Sequence, residues 1–186
     1  VALLDIGFET SSLIVYDEGL PISIEVFQVG SNDITNDLAL KLKTDLTDAE
    51  EVKRGMARMD YPKKKVDEII KNRLDNIFSL VEEHLKKINK NGLLPAGIVL
   101  CGGGAEVIGI ESSAKSYLKI PARRVEERVD NGSRGQLKLS EWGAAYGAAI
   151  FSLSAQDEES FGMKMASDLG KRAGVNIWKW IKQFMP

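Results

Sequence analysis

Apolar residues in this chain fall into short unbroken runs, separated by one long stretch in which they recur every three or four positions. Val1-Ala2-Leu3-Leu4 runs into Asp5-Ile6-Gly7, the pattern of a buried strand ending in a turn. Leu13-Ile14-Val15-Tyr16 predicts a second strand, and Asp17-Glu18-Gly19 a hairpin into a third over 22–29. There Ile22, Ile24 and Val26 alternate only partly with Ser23, Glu25 and Phe27, as in a sheet covered on both faces. Gly30 ends that strand, and Ser31, Asn32 or Asp33 caps a helix carrying Ile34, Leu38 and Leu42. Thr47-Asp48-Ala49-Glu50 has the spacing of a capping box, predicting a helix to about Met59 before Tyr61-Pro62 breaks it.

The long periodic stretch follows over 63–89. Val66, Ile70, Leu74, Ile77, Val81, Leu85 and Ile88 form its apolar stripe, with His84 on the polar edge, and Asn91-Gly92 ends it. Gly97-Ile98-Val99-Leu100-Cys101 is the clearest buried strand and empties into Gly102-Gly103-Gly104. A helix over 110–118, a strand over 122–125, a loop around Asp130-Asn131-Gly132 and a small-residue helix over 140–153 complete the ordered part. Gly143, Ala144, Gly147 and Ala148 suit that last helix to close packing on a sheet. These elements predict an α/β fold: a five-stranded, mostly parallel mixed sheet with one antiparallel strand and helices on both faces.

Composition narrows the class. At 186 residues, 44% hydrophobic and 28% charged, the chain has the material for one domain with a small inserted piece. A net charge of −2 gives no general pull toward nucleic acid, and no nucleic-acid partner is expected. The single cysteine, Cys101, excludes an internal disulfide framework and reads as packing at a buried strand end. No apolar run approaches the roughly 20 residues needed to cross a bilayer. Val1 opens directly into a strand without a basic region or cleavage site, so the expectation is a cytoplasmic fragment of a longer protein.

The chemistry lies in two glycine-bearing turns at strand ends, Gly7 and Gly102 to Gly104. Open α/β sheets bind ligands at the carboxyl ends of their strands, and glycine lets backbone N–H groups approach phosphate oxygens. Thr10, Ser11 and Ser12 add hydroxyls, and Asp5 is placed to orient the water shell of a metal. The plainer alternative is that both are ordinary strand-to-helix turns. The acidic Glu50 and basic Lys53 equally suit any helix dipole.

The order of these features resembles the second half of the actin-like (ribonuclease H-like) ATPase superfamily. Several stretches are similar, in order and spacing, to the bacterial cell division protein FtsA family. They are Asp5-Ile6-Gly7 through Tyr16, Gly30 with Asp33-Ile34-Thr35-Asn36-Asp37, Asp48-Ala49-Glu50 with Lys53, and Leu94-Pro95-Ala96-Gly97-Ile98-Val99-Leu100. The resemblance covers most of 1–153. It implies ATP, with Asp5, Gly7 and Thr10 toward the phosphates and a water-mediated Mg²⁺ held by Asp5. It further implies Gly30 facing the cleft, Glu50 and Lys53 reaching ribose and adenine, and Gly102, Gly103 and Gly104 under the nucleoside. Phe8 and Glu9 depart from the glycines of that family's phosphate loop, and a carboxylate beside phosphates is unfavourable. The expectation is an ATP-binding module, at most a weak ATPase when intact and inactive as this piece.

The resemblance divides the chain into a nucleotide-cleft subdomain (1–45 and 66–153) and a reduced insert (46–65). A polar linker (154–173) and an amphipathic membrane-targeting helix (174–186) follow. On a helical wheel Val175, Ile177, Trp178, Ile181, Phe184 and Met185 share one broad side, with Trp180 at its edge. Lys179 lies opposite and Lys182 within the arc, where its stem can snorkel, the composition of an interfacial helix. A terminal helix packed on its own domain is the alternative. The family implies an FtsZ-like tubulin homologue as partner, self-association into filaments, and residence on the inner face of the cell membrane. Two other readings share the core: a PilM-like scaffold of type IV pilus assembly and a sugar-kinase-type phosphotransferase half.

Overall fold

Strand β1 (Ala2–Ile6) buries Ala2, Leu4 and Ile6 completely, while Leu3 and Asp5 on its other face are half-buried, the period of two that a pleated strand imposes. These observations come from a computed structural model, which describes residues 1–57, 61–126, 128–130 and 136–153. β1 pairs antiparallel with β2 (Ser11–Asp17), which pairs antiparallel with β3 (Leu20–Phe27). On its other side β1 pairs parallel with β4 (Ile98–Cys101), and β4 with β5 (Ala122–Arg124). The order is β3-β2-β1-β4-β5, so β2 alone runs against the rest, as the sequence predicts. Glu18 and Gly19, both at positive φ, make the two-residue turn between β2 and β3. Because β3 is an edge strand, Ile22, Ile24 and Val26 stay well exposed rather than covered.

Helix α1 (Ser31–Leu42) starts on Gly30, whose N–H donates to Asp33 Oδ2 at 2.8 Å. Helix α2 (Leu46–Lys53) departs from the sequence reading at both ends. Its N-cap is Asp45, whose Oδ1 accepts from the Asp48 N–H at 2.8 Å, two residues before the capping box read at Thr47. It stops at Lys53 rather than near Met59 because Gly55 takes a positive φ. The Gly55 and Met56 N–H groups fold back onto Val52 and Glu51 carbonyls, a Schellman ending.

Helix α3 (Lys63–Lys87) buries Ile69, Ile70, Leu74, Ile77, Phe78, Val81 and Leu85 against the core. Arg73 ties it to α1 through a two-pronged ion pair, Nε to Asp37 Oδ2 at 2.8 Å and Nη2 to Oδ1 at 2.9 Å. His84 is not on a solvated edge: it is buried, with Nε2 2.8 Å from Ser23 Oγ, Nδ1 3.3 Å from Glu25 Oε2, and its ring edge-on to Phe27. Its polar neighbours lie on β3, which helical periodicity alone cannot reveal. Helix α4 (Ile110–Leu118) falls where expected. Strands β6 (Arg128–Asp130) and β7 (Gln136–Lys138) form a small antiparallel pair where the sequence predicts only a loop.

The chain divides into two compact units, Val1–Gly143 and Ala144–Pro186. Residues 139–143 are helical in the first, and 144–153 are helical in the second. The expected linker and terminal helix, 154–186, lie outside the described residues, as do 58–60 within the expected insert.

Candidate functional site

The turn after β1 closes on itself, with the Gly7 N–H donating to the Thr10 carbonyl at 2.9 Å. Its outward carbonyls then hold the start of α1: Gly7 O accepts from Ser31 N–H at 2.9 Å and Phe8 O from Asn32 N–H at 2.8 Å. That approach leaves no room for a side chain at Gly30, where a Cβ would overlap the Phe8 carbonyl. The turn after β4 packs equally tightly on β1. Gly102 has φ +86°, and a Cβ there would overlap Asp5 Oδ1 and the Ile6 carbonyl; one on Gly104 would overlap the Ile6 side chain. At Gly103 a Cβ meets nothing within 4 Å.

Between these turns lies an open cleft of about 880 Å³ within the first unit. Gly7 and Phe8 line it from the β1 turn, Ser31, Asn32 and Thr35 from α1, and Glu50, Lys53 and Arg54 from α2. Gly103, Glu106, Lys138 and Trp142 complete it on the other side. Of the residues singled out in the sequence, Gly7, Glu50, Lys53 and Gly103 meet on this cleft. Asp5, Thr10, Gly30, Gly102 and Gly104 do not line it, and Gly30, Gly102 and Gly104 instead make close contacts with other parts of the protein. The residues read as membrane-binding, Val175, Ile177, Trp178, Lys179, Trp180, Ile181, Lys182 and Phe184, lie outside the described residues.

The α2 side of the cleft is a charged network. Lys53 Nζ is 2.6 Å from Glu50 Oε2 and donates to Thr35 Oγ1 at 2.9 Å and to the Ser31 carbonyl at 3.2 Å. Thr35 Oγ1 donates to Glu50 Oε2 at 2.6 Å, and Arg54 Nε to Glu50 Oε1 at 2.8 Å. Burial alone raises the Glu50 pKa, but hydrogen bonds from Lys53, Thr35 and Arg54 outweigh it and hold the group at about 2. Behind the cleft, burial pushes the Asp5 carboxyl upward. Burial, then the charge of Asp5, pushes the Cys101 thiol up to about 12, so Cys101 packs rather than reacts. A second, mainly apolar cavity of about 570 Å³ lies between the end of α2, α3 and the start of α4, with Lys53 contributing to both spaces.

Sequence reasoning missed Thr35, Arg54, Lys138 and Trp142. Thr35 lies in the Ile34-Thr35-Asn36-Asp37 stretch and Arg54 adjoins Lys53, while Lys138 and Trp142 carry no local signal beyond one exposed aromatic near a helix start.

Residues 2–147 match the model of the family described as cell division protein FtsA. The chain belongs to the FtsA family. The FtsA of Pseudomonas aeruginosa is 29% identical over 145 residues, covering 66% of this chain. That of Bacillus subtilis is 30% identical over 141 residues, covering 64%. These matches take in 35% and 32% of the relatives themselves, so the chain spans about a third of their length. Among solved structures, MreB5 of Spiroplasma citri bound to AMPPNP superposes with a TM-score of 0.68 at 18% identity, over 87% of this chain and 55% of that one. The PilM–PilN type IV pilus biogenesis complex gives 0.56 at 26% identity, over 67% and 35%. The fold is that of the actin-like ATPases, as the FtsA-like pattern implies.

Proposed function

We propose that this chain is the ATP-binding, membrane-linking part of an FtsA-type protein that tethers the FtsZ division ring to the inner face of the cytoplasmic membrane. The observation that carries the nucleotide part is the cleft itself. Two strand-end glycine turns and one charged helix end, far apart in sequence, converge on a single open space at the carboxyl ends of β1 and β4. Gly103 offers an open backbone surface there, and Glu50 and Arg54 offer an acceptor and a cation.

The residues fit a nucleotide better than they fit a metal of their own. Among the described residues, no three His, Cys, Asp or Glu side chains converge on one point. Mg²⁺ would therefore be carried by the phosphates of the nucleotide, with Asp5 reaching it through water. Bound, the ion would supply charge neutralisation at the phosphates. The residues of this chain would bind and orient the nucleoside end.

The membrane part rests on the amphipathic pattern at 174–186. Its mix of apolar face, tryptophans and lysines makes attachment by an interfacial helix the form proposed; among the described residues, no helix is long and apolar enough to cross a membrane. Self-association into filaments and FtsZ binding belong to the same proposal, supported by family membership. The PilM-like reading shares the fold but not the family match. Pelleting with anionic phospholipid vesicles tests the proposal. The chain should sediment with the vesicles, and Trp178→Ala with Ile181→Glu should release it without moving its melting temperature. Sedimentation unaffected by that pair, or a melting point lowered by many degrees, would remove the membrane reading.

A further inference from the structure

Lys53 turns its ammonium inward, onto two hydrogen-bond acceptors and one ion-pair partner. An ammonium has three donors, and here the Ser31 carbonyl, the Thr35 hydroxyl and Glu50 Oε2 stand at 3.2, 2.9 and 2.6 Å from Nζ, with the side chain 7% exposed. The Thr35 hydroxyl is buried and has one hydrogen to give. Glu50 Oε2 at 2.6 Å competes with the Ser31 carbonyl at 3.5 Å, and the short, charged acceptor takes it. The result is a directed chain from Lys53 through Thr35 to Glu50, closed from the other side by Arg54.

We propose that Thr35 is a positioning residue: it holds Lys53 as a buried strut and fixes the Glu50 carboxylate, so that Arg54, not Lys53, is the cation that meets the ligand. The inference rests on the nucleotide reading above and reassigns one contact within it. Arg54 is 61% exposed on the cleft, and its tether to Glu50 uses Nε alone. The Nη groups carry no hydrogen bond to the described residues, and a guanidinium held at one edge still offers a flat cationic face and an outer fork. Both are chemistries a nucleotide can use, the face by its base and the fork by its phosphates.

The test uses the full chain. With ¹³C-labelled glutamate, the Glu50 carboxyl should titrate well below the ordinary range. Thr35→Val should move that titration upward by about one unit, the loss of one charge-assisted hydrogen bond. Thr35→Ser should restore it. If Thr35→Val does not fold, Thr35→Cys, a weaker donor of similar size, takes its place. A folded variant whose Glu50 titrates as in the parent chain would overturn the positioning role, whatever the protein binds. Arg54→Gln should weaken ATP binding, read by chemical-shift titration, roughly tenfold without lowering the melting temperature, since one exposed ion pair is worth little. Adenosine and tripolyphosphate as separate probes locate the contact: loss with adenosine puts Arg54 on the base, loss with tripolyphosphate on the phosphates. Undiminished binding in Arg54→Gln with loss in a folded Lys53→Met chain would refute the reassignment. A parent chain that binds no nucleotide would remove the functional reading while the carboxyl titration still decides the placement of Thr35.

Discussion

Gly102 and Gly103 are neighbours in sequence with opposite structural demands, and a pair of alanine substitutions separates them. Gly102 sits at φ +86° and ψ 161°, a region that only glycine enters freely, so any side chain there costs about 1–3 kcal/mol of backbone strain. A Cβ would also overlap the Ile6 carbonyl, which is backbone of a central strand and cannot swing away, and Asp5 Oδ1. Forcing the two strand ends apart adds about 1–3 kcal/mol, the usual cost of overpacking. Gly102→Ala should therefore lose about 2–6 kcal/mol, a large part of the 5–15 kcal/mol typical of a domain. At roughly 2–4 °C per kcal/mol for a chain of this size, that is a fall of about 4–24 °C in Tm. At Gly103 a Cβ meets nothing within 4 Å and φ is ordinary, so Gly103→Ala should stay within about 0.5 kcal/mol of the parent. Thermal and urea unfolding followed by circular dichroism measure both. A Gly102→Ala chain melting within two or three degrees of the Gly103→Ala chain would show that the turn does not need its first glycine, and the packing argument for this side of the cleft would fail.

Three further outcomes follow from the same structure. Glu50 has a folded pKa of about 2 against an ordinary value of 4.5, so the stability it contributes is complete above about pH 4.5 and fades as pH falls toward 2; Glu50→Gln should flatten the acid-unfolding profile across that window. Asp5 is shifted the other way by burial, so its ionised form costs stability as pH rises through its folded pKa; Asp5→Asn should raise Tm at pH 7, with the gain vanishing below the ordinary carboxylate range. The Arg73–Asp37 fork depends on two parallel N–H donors, so Arg73→Lys should lower stability by about 1 kcal/mol in urea unfolding rather than preserve it, and a melt equal to the parent's would show that the fork contributes nothing.

Much of the fold was legible because its elements announce themselves locally. The apolar runs at 1–4 and 98–101 are short and each ends in a glycine-bearing turn, as buried strands do, and the stripe from Val66 to Leu85 is too long for anything but a helix. Elements defined by distant partners were not legible. His84 looked like a surface residue because the groups that satisfy it, Ser23 and Glu25, lie on another element. The small β6–β7 pair offered three-residue strands with one apolar residue each, too short for their alternation to stand out. The start of α2 was misplaced because Thr47 and Asp45 both have capping chemistry, and only the geometry shows Asp45 accepting the Asp48 N–H. The candidate site divided along the same line. Gly7 and Gly103 are legible from turn chemistry and Glu50 and Lys53 from the family resemblance, whereas Trp142 and Lys138 reach the cleft only through the tertiary fold.

A glycine-rich turn in sequence does not distinguish backbone approaching a ligand from backbone approaching backbone, and here the second accounts for most of the glycines. Gly30, Gly102 and Gly104 are required by Phe8, Ile6 and Asp5. The helix start that borders the cleft is similarly occupied. The Ser31, Asn32 and Asp33 N–H groups already donate to the carbonyls of Gly7, Phe8 and Gly30, so the first turn of α1 is not a free anion hole despite its dipole. Lys53, the basic residue nearest that turn, is spent on internal partners. What remains open to a ligand is the edge formed by Glu50 and Arg54 on this side of the cleft and the open backbone at Gly103 across it. That inventory suits the nucleoside end of a nucleotide better than a full phosphate cage, and it places the proposed cationic contact on the network around Thr35 rather than on Gly30, Gly102 or Gly104.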